Sequence, residues 1–394
     1  MMARHMEKLD RVRARVLEAF EPLPVERVPL DEAAGRYLAE EVRAARAAPP
    51  FTCSAMDGYA LRAADAPGPV SLPVGLTLYA GDLPARPLRP GEAARIFTGA
   101  PLPEGADTVV REEATRAEAG RVAVLEAPRR GENVRIEGED VPRGGVALEA
   151  GTRLGARQVG LCAAVGVAEV PVRRRPRVAL LATGDEVVRG LTPDSNGAAV
   201  AGLLRSLGAL VSRRSVADDP EVVAAAIGEA LASADAVVTI GGVSVGERDH
   251  VPAALGRLGA QVRVHGVPMK PGKPFLFASA GATPVLGLPG SPSACLVAFE
   301  VFARPALLRL AGASRLDRRV VRLPLAEPVS GRPGRARFLW AALDPDGRVR
   351  PLGRDAAQVR GPALADALVR LPEGTGDLGA GEEVEAWLLD DDAG

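Results

Sequence analysis

Apolar residues recur at helical spacing at Leu9, Val12, Val16, Leu17 and Phe20 before Pro22 and Pro24 interrupt the chain, which predicts an N-terminal helix. A second, short helix is expected from Asp31 to about Glu41. From Ala48 to about Arg153 the texture changes to short apolar runs, such as 69–78 and 121–125, with Gly or Pro every few residues. That punctuation predicts a β-rich region of short strands.

After a basic linker at 173–177 a different rhythm begins. A strand at 178–182, a helix at 198–207 with small residues on its packing face and a strand at 210–216 follow one another. Asp219 before Pro220 reads as an N-cap with proline at the first helical position, opening a helix to about Ser233. Strands are expected at 236–240, 262–267, 274–278 and 284–288, a short helix at 252–258, and a long helix at 292–310. Such alternation predicts a doubly wound, mostly parallel sheet with helices on both faces. From about Arg319 strand signals return, and Asp346-Gly347 between the runs 337–343 and 348–352 reads as a hairpin.

The expected fold class is therefore α/β multidomain: a central doubly wound α/β domain flanked by a β-rich N-terminal region and a C-terminal β domain. The expected divisions are 1–172, carrying an inserted β-rich subdomain at about 50–150, then 173–315 and 318–394. The length of 394 residues agrees, since a domain holds roughly 100–200.

Composition narrows the function classes. With 49 basic against 50 acidic side chains, the chain lacks the cationic surplus that a sequence-independent grip on nucleic acid needs. No run approaches the ~18 apolar residues of a membrane span, and residues 1–20 carry charges where a signal peptide has its apolar segment. The reading is cytoplasmic, without nucleic acid or membrane as partner. Cys53, Cys162 and Cys295 are far apart and without CxxC spacing, so neither a disulfide framework nor a zinc site is signalled. Only three of the basic residues are lysine, and two of them lie in one tetrapeptide, Lys270-Pro271-Gly272-Lys273. Lysine kept twice in one turn of an arginine-rich chain points to work for a compact ammonium charge.

In an open α/β sheet, ligands bind beyond the carboxyl ends of the strands. The loops expected there are Thr183-Gly184-Asp185-Glu186, Asp218-Asp219-Pro220, the glycine loop from Gly241 to Asp249, the lysine turn, and Gly287-Leu288-Pro289-Gly290-Ser291-Pro292. Gly241, Gly242 and Gly246 let backbone N–H groups approach an anion, and Ser244 adds a hydroxyl. The loop is neither a Walker loop nor a GxGxxG fingerprint, and Gly-Gly after a strand is by itself an ordinary tight turn. Glu247 and Asp249 beside it suggest a bridging Mg²⁺. Asp219 reads as the helix cap, which leaves Asp218 to face the cleft, whereas Asp185 and Glu186 could simply begin the next turn. His250 and His265 read as structural. Asp57-Gly58 and Phe97-Thr98-Gly99 look like plain turns when taken alone.

Taken together, these residues resemble the molybdopterin molybdenumtransferases, the MoeA family that includes the plant and animal E-domain insertases and gephyrin. The resemblance rests on SAMDGYA at 54–60, IFTGAPLPEGADTVV at 96–110, TGDE at 183–186, DSNG at 194–197, GGVSVGERD at 241–249, KPGKP at 270–274 and GLPG at 287–290, in that order. It implies a MogA-like central domain, a C-terminal domain of β-barrel type, and insertion of molybdate into adenylylated molybdopterin with Mg²⁺-assisted release of AMP. It places the functional acids at Asp57, Glu186, Asp218 and Asp249, with Thr98 and Lys270 also in the catalytic set, and Mg²⁺ on Asp218 and Asp249. Thr183, Gly184, Asp185, Gly241, Gly242, Ser244, Gly246, Lys273, Pro289, Ser291 and Pro292 would bind substrate. It further implies a homodimer whose site is shared between subunits, and contacts with other proteins of molybdenum cofactor biosynthesis. Three positions depart from the family pattern: Gly266 where a lysine is common, Ala357 where some members have serine, and Ser291 in place of asparagine. Tungstate could replace molybdate. The rival readings are a pterin adenylyltransferase of the MogA type and a non-catalytic dimeric scaffold.

Overall fold

The computed structural model describes residues 7–331, 334–353 and 357–389. The outermost parts of the expected first and last domains, 1–6 and 390–394, lie outside the described residues. The chain divides into two compact units: one takes the chain up to Glu40, Ala150–Ala156 and everything from Pro171, and the other Glu41–Glu149 with Arg157–Val170.

The first unit is organised around a six-stranded sheet. Its elements in chain order are β1 (Arg177–Thr183), α1 (Ser195–Ser206), β2 (Leu210–Val216), α2 (Pro220–Ser233), β3 (Ala236–Ile240), α3 (Val251–Arg257), β4 (Gln261–His265), β5 (Leu276–Ala280), β6 (Thr283–Leu288) and α4 (Pro292–Ala298). The strand order is β2-β1-β3-β6-β5-β4. The first four strands of that order run parallel, while β5 and β4 are each antiparallel to their neighbours.

Alternation along β1 and β3 explains the layers. Val178, Leu180, Val238 and Ile240 point into one core with Val200, Ala201 and Leu204 of α1. Ala179, Leu181 and Val237 point into another with Val223, Ala226 and Ile227 of α2 and Leu255 of α3. A sheet buried on both faces needs apolar side chains at consecutive positions, which is why these strands read as unbroken apolar runs. The N-terminal helix Leu9–Leu17 adds Leu9, Val12 and Val16 to the first core. α4 runs through a π-helical stretch, Phe299–Ala303, into Arg304–Leu310.

The C-terminal part of this unit is a second mixed sheet in the order Met269–Lys270, Ala336–Leu343, Ala367–Leu371, Glu383–Leu388, Val320–Pro324. The expected hairpin is present, with Ala336–Leu343 antiparallel to Val349–Pro351 and Gly347 at φ +75° between them. The edge strand Met269–Lys270 comes from the central domain and runs parallel to Ala336–Leu343.

The second unit contains a six-stranded sheet, in the order Thr108–Arg111, Gly58–Leu61, Ala93–Ile96, Val70–Leu78, Arg121–Val124, Thr115–Glu118. Both its faces are covered: Tyr59 and Leu61 enter one core, Ala60 the other.

Three local expectations are revised. The helix expected from Asp31 to about Glu41 is only the turn Leu30–Ala33. Gly35 at φ +77° leaves helical space, and Tyr37 and Leu38 then form β-bridges to Arg153 and Val172. The supposed linker at 173–177 is largely structured, because strand Glu169–Arg173 pairs with Val25–Pro29 and β1 starts at Arg177. Helix Ala156–Ala164 was not expected; only Cys162 of it is fully buried, so its apolar stripe is too thin to read.

Candidate functional site

The strand order places a topological switch between β1 and β3, because the chain leaves β1 outward to β2 and returns on the other side. Ligands of such sheets bind outside the carboxyl ends of the strands at that point. Thr183 ends β1 there, and Gly241 follows β3. Gly241 and Gly242 have φ of +81° and +63°, and a Cβ on either would stand within 3.0 Å of Thr183. Only glycine brings these two strand ends so close. The Thr183 hydroxyl donates to the Ile240 carbonyl at 3.3 Å.

The loop after β6 joins the same cluster. The Gly241 N–H donates to the Leu288 carbonyl at 3.0 Å, and the Asn196 amide of α1 donates to the Gly290 carbonyl at 2.6 Å. His265 Nε2 donates to the Val243 carbonyl at 2.9 Å, the structural role expected of it. Among the described residues, the backbone N–H groups of Gly242, Val243 and Ser244 have no hydrogen-bond partner within the chain. They are available to an anion.

The acidic residues sort themselves. Asp219 caps α2 by accepting from the Glu221 and Val222 amides at 2.9 and 3.0 Å. Asp218 and Asp185 exchange hydrogen bonds: the Asp185 amide donates to Asp218 Oδ2 at 3.2 Å, and the Asp218 amide to Asp185 Oδ1 at 3.1 Å. The loops after β1 and β2 are thus tied through two adjacent carboxylates. Glu186 turns back on its own loop, its Oε1 being 2.8 Å from where a Cβ on Gly184 would stand. Asp249 Oδ2 accepts the Gly246 amide at 2.8 Å and closes the tip of the glycine loop.

Beside the Gly290 turn lies a cavity of about 310 Å³. Lys270, Lys273, Pro289 and Ser291 line it, as sequence suggested, together with Arg335, Arg337, Ser293, Trp340 and Gln358, which sequence did not suggest. Ser291 occupies the N-cap position of α4 without a side-chain cap bond, and Pro292 begins the helix. The lysine turn is held from two sides. The Val267 N–H donates to the Lys273 carbonyl at 2.9 Å, and Lys270 lies in register with Arg337 across the parallel pair. The lining therefore combines cationic side chains with apolar ones, the latter including Phe338, Leu339 and Leu352. Arginines are so frequent in this chain that nothing local singled out 335 and 337; only the pairing of Met269–Lys270 with a remote strand places them.

Asp57 and Thr98 belong to the second unit, where they form a cluster of their own. Asp57 Oδ1 accepts both the Thr98 amide at 2.8 Å and the Thr98 hydroxyl at 2.7 Å. The amide bond foremost, then the hydroxyl, hold the Asp57 carboxyl below its usual range, and nearby Arg95 adds to the effect. The three cysteines are free and buried, and burial pushes the Cys295 thiol up. Among the described residues, no group of three or more His, Cys, Asp or Glu could hold a metal ion, and no helix is long and apolar enough to cross a membrane.

Comparison with known proteins identifies the family. Residues 7–166 match the MoeA N-terminal region (domain I and II), 179–309 a probable molybdopterin binding domain, and 322–389 the MoeA C-terminal region (domain IV). The chain is 35% identical to molybdopterin molybdenumtransferase 2 of Mycobacterium tuberculosis, over 98% of this chain and 100% of that one. It is 42% identical to the molybdopterin molybdenumtransferase of a Nostoc species, over 73% of this chain and 70% of that one. A crystal structure of a MoeA molybdopterin biosynthesis protein from Pyrococcus horikoshii superposes with a TM-score of 0.78 at 34% identity, covering 97% of this chain and 99% of that one. With all three regions matched in order and relatives aligned nearly end to end, the chain belongs to the MoeA family of molybdopterin molybdenumtransferases.

Proposed function

We propose that this transferase inserts molybdate into adenylylated molybdopterin and, with Mg²⁺, cleaves the adenylate to AMP. One observation carries the reading: the cavity lined by Lys270, Lys273, Arg335 and Arg337 also takes Pro289 and Ser291 from the loop that packs on the glycine turn at the sheet's switch point. A tetrahedral oxyanion suits the cationic side chains of the lining, and a phosphate suits the free amides of the turn. The two are neighbours, as joining their guests requires.

In this reading Lys270 and Lys273 neutralise oxyanion charge. Gly242 and Ser244 hold the nucleotide's phosphate, and Gly241 and Gly246, whose amides are spent on Leu288 and Asp249, shape the turn around it, while Thr183, Gly184 and Asp185 shape the pocket with Pro289, Ser291 and Pro292. Glu186 orients the substrate. Asp218 and Asp249 suit Mg²⁺, because both are hard oxygen donors that spend only one oxygen each on the bonds described above. Mg²⁺ is commonly held by one or two carboxylates plus ligand phosphate oxygens. When bound, it would neutralise charge developing on the phosphoanhydride. Asp57, kept ionised by Thr98, completes the site from a second subunit of a homodimer. Domains at 1–172, 173–315 and 318–394, a cytoplasmic location, and exchange with the proteins that adenylylate the pterin and receive the cofactor belong to the same proposal.

The test is AMP release from adenylylated molybdopterin. It should require both molybdate and Mg²⁺, and Asp57→Ala or Asp249→Ala should abolish it with fold and dimer intact. Release without any oxyanion overturns the insertase. Transfer of AMP from ATP onto bare molybdopterin identifies an adenylyltransferase, and a dimer that catalyses neither reaction identifies a scaffold.

A further inference from the structure

Thr98 follows Phe97, whose ring has a role that no step above uses. It stacks on Tyr79 with centroids 4.6 Å apart and planes 10° from parallel. The Arg95 guanidinium carbon lies 5.3 Å from the Phe97 centroid, and Arg95 is itself steadied by Glu112 at 3.1 Å. Tyr79 is tethered through its backbone. Its amide donates to the Asp82 carboxylate at 2.8 Å, and the Asp82 amide returns a bond to the Tyr79 carbonyl at 3.0 Å. The Phe97 N–H donates to the Leu78 carbonyl at 3.1 Å, which holds the two backbone segments that carry the stacked rings side by side.

Despite this restraint Tyr79 is 55% exposed, the most exposed aromatic side chain among the described residues. A chain that is only 3% aromatic spends its rings sparingly, and nearly all the others are buried or half-buried. A π-face backed by a second ring, held at a fixed angle and open to solvent, is how proteins stack planar bases.

The geometry points to a stacking platform: Tyr79, backed by Phe97 and Arg95, receives a planar nitrogen heterocycle of the substrate beside the Asp57 carboxylate that Thr98 holds. This rests on the reading that Asp57 and Thr98 face substrate. Two rings of adenylylated molybdopterin have this chemistry, the adenine and the pterin. Each carries an exocyclic amine that can donate to a carboxylate, which only accepts.

Wild type, Tyr79→Ala and Tyr79→Phe are titrated by calorimetry with AMP and, separately, with a simple pterin. KM and kcat are then measured with adenylylated molybdopterin. Tyr79→Ala should weaken binding of one ring about tenfold and raise KM to a similar extent with kcat largely kept. Tyr79→Phe keeps the π-face and should behave as wild type. Weakened AMP binding assigns the adenine; weakened pterin binding assigns the pterin. Unchanged binding of both rings with unchanged KM overturns the platform. So does dissociation of Tyr79→Ala to monomers in sedimentation, which would make the ring a subunit contact. If Asp57→Ala abolishes AMP release while Tyr79→Ala changes nothing, only the platform falls. If wild type shows no molybdate-dependent release, the insertase reading falls, and the two ring titrations still decide the platform.

Discussion

The indole N–H of Trp340, in the C-terminal sheet, donates to the hydroxyl of Ser293, in the first turn of α4, at 3.0 Å, with both side chains buried. Both also line the basic cavity, so one bond joins the C-terminal sheet to α4 at its lining. Trp340→Phe keeps a ring and deletes the donor, leaving a buried hydroxyl without its partner. The expected cost is about 1–3 kcal/mol. Urea unfolding of the variant against wild type measures it, and an unchanged midpoint would show that the bond contributes nothing.

Lys270 and Arg337 sit opposite each other in the parallel pair and both line the cavity. Charge-assisted hydrogen bonds contribute about 1.5–3 kcal/mol, so losing either cation should raise the half-saturating molybdate concentration about 10- to 100-fold. The readout is AMP release against molybdate concentration for Lys270→Ala and Arg337→Ala. Equal saturation curves would remove the oxyanion from this cavity.

Thr98 lowers the pKa of Asp57 through its amide and its hydroxyl. Thr98→Val removes the hydroxyl bond and keeps the amide one, so the Asp57 pKa should rise part of the way toward the ordinary carboxylate value. A carboxylate with a raised pKa protonates at a higher pH. The acidic limb of the activity profile should therefore shift to higher pH in the variant, checked by pH–rate curves and a carboxyl NMR titration.

Asp235 receives Arg174 at 2.8 and 2.9 Å and the Arg177 amide at 2.7 Å, at the amino end of β1. Burial acts to raise its pKa, but these bonds overcome burial and bring it down to about 2. A depressed carboxyl stabilises the fold fully above its unfolded value and loses that contribution as pH falls toward its folded value. Asp235→Asn should therefore cost about 2 kcal/mol near neutral pH and much less near pH 2. Denaturant melts at the two pH values give the difference, and a cost independent of pH would refute the ionic account.

The central sheet was legible because its strands are buried on both faces and because a helix such as α2 opens on a recognisable cap, Asp219 with Pro220. The lysine turn, the double glycine and the proline turn could be named as candidate loops for the same reason, since each comes after a strand. What stayed hidden depends on contacts between distant segments. Arg335, Arg337 and Trp340 enter the cavity only because two residues, Met269 and Lys270, pair with a strand more than sixty positions away, as the register shows. A two-residue edge strand has no periodicity to detect. The shortened helix after Leu30 and the overlooked one at Ala156–Ala164 failed for a different reason: short helices draw their stability from packing, which composition does not reveal.

The borrowing of Met269–Lys270 by the C-terminal sheet limits how the chain can be divided. A chain cut after the central domain would not be a smaller edition of this enzyme. Its lysine turn, between β4 and β5, would lose the pairing with Ala336–Leu343 and keep only the local bond from the Val267 N–H to the Lys273 carbonyl. Removing the last domain would take away Arg335, Arg337 and the strand on which Lys270 is mounted in one cut, leaving the two lysines without the rest of their cavity.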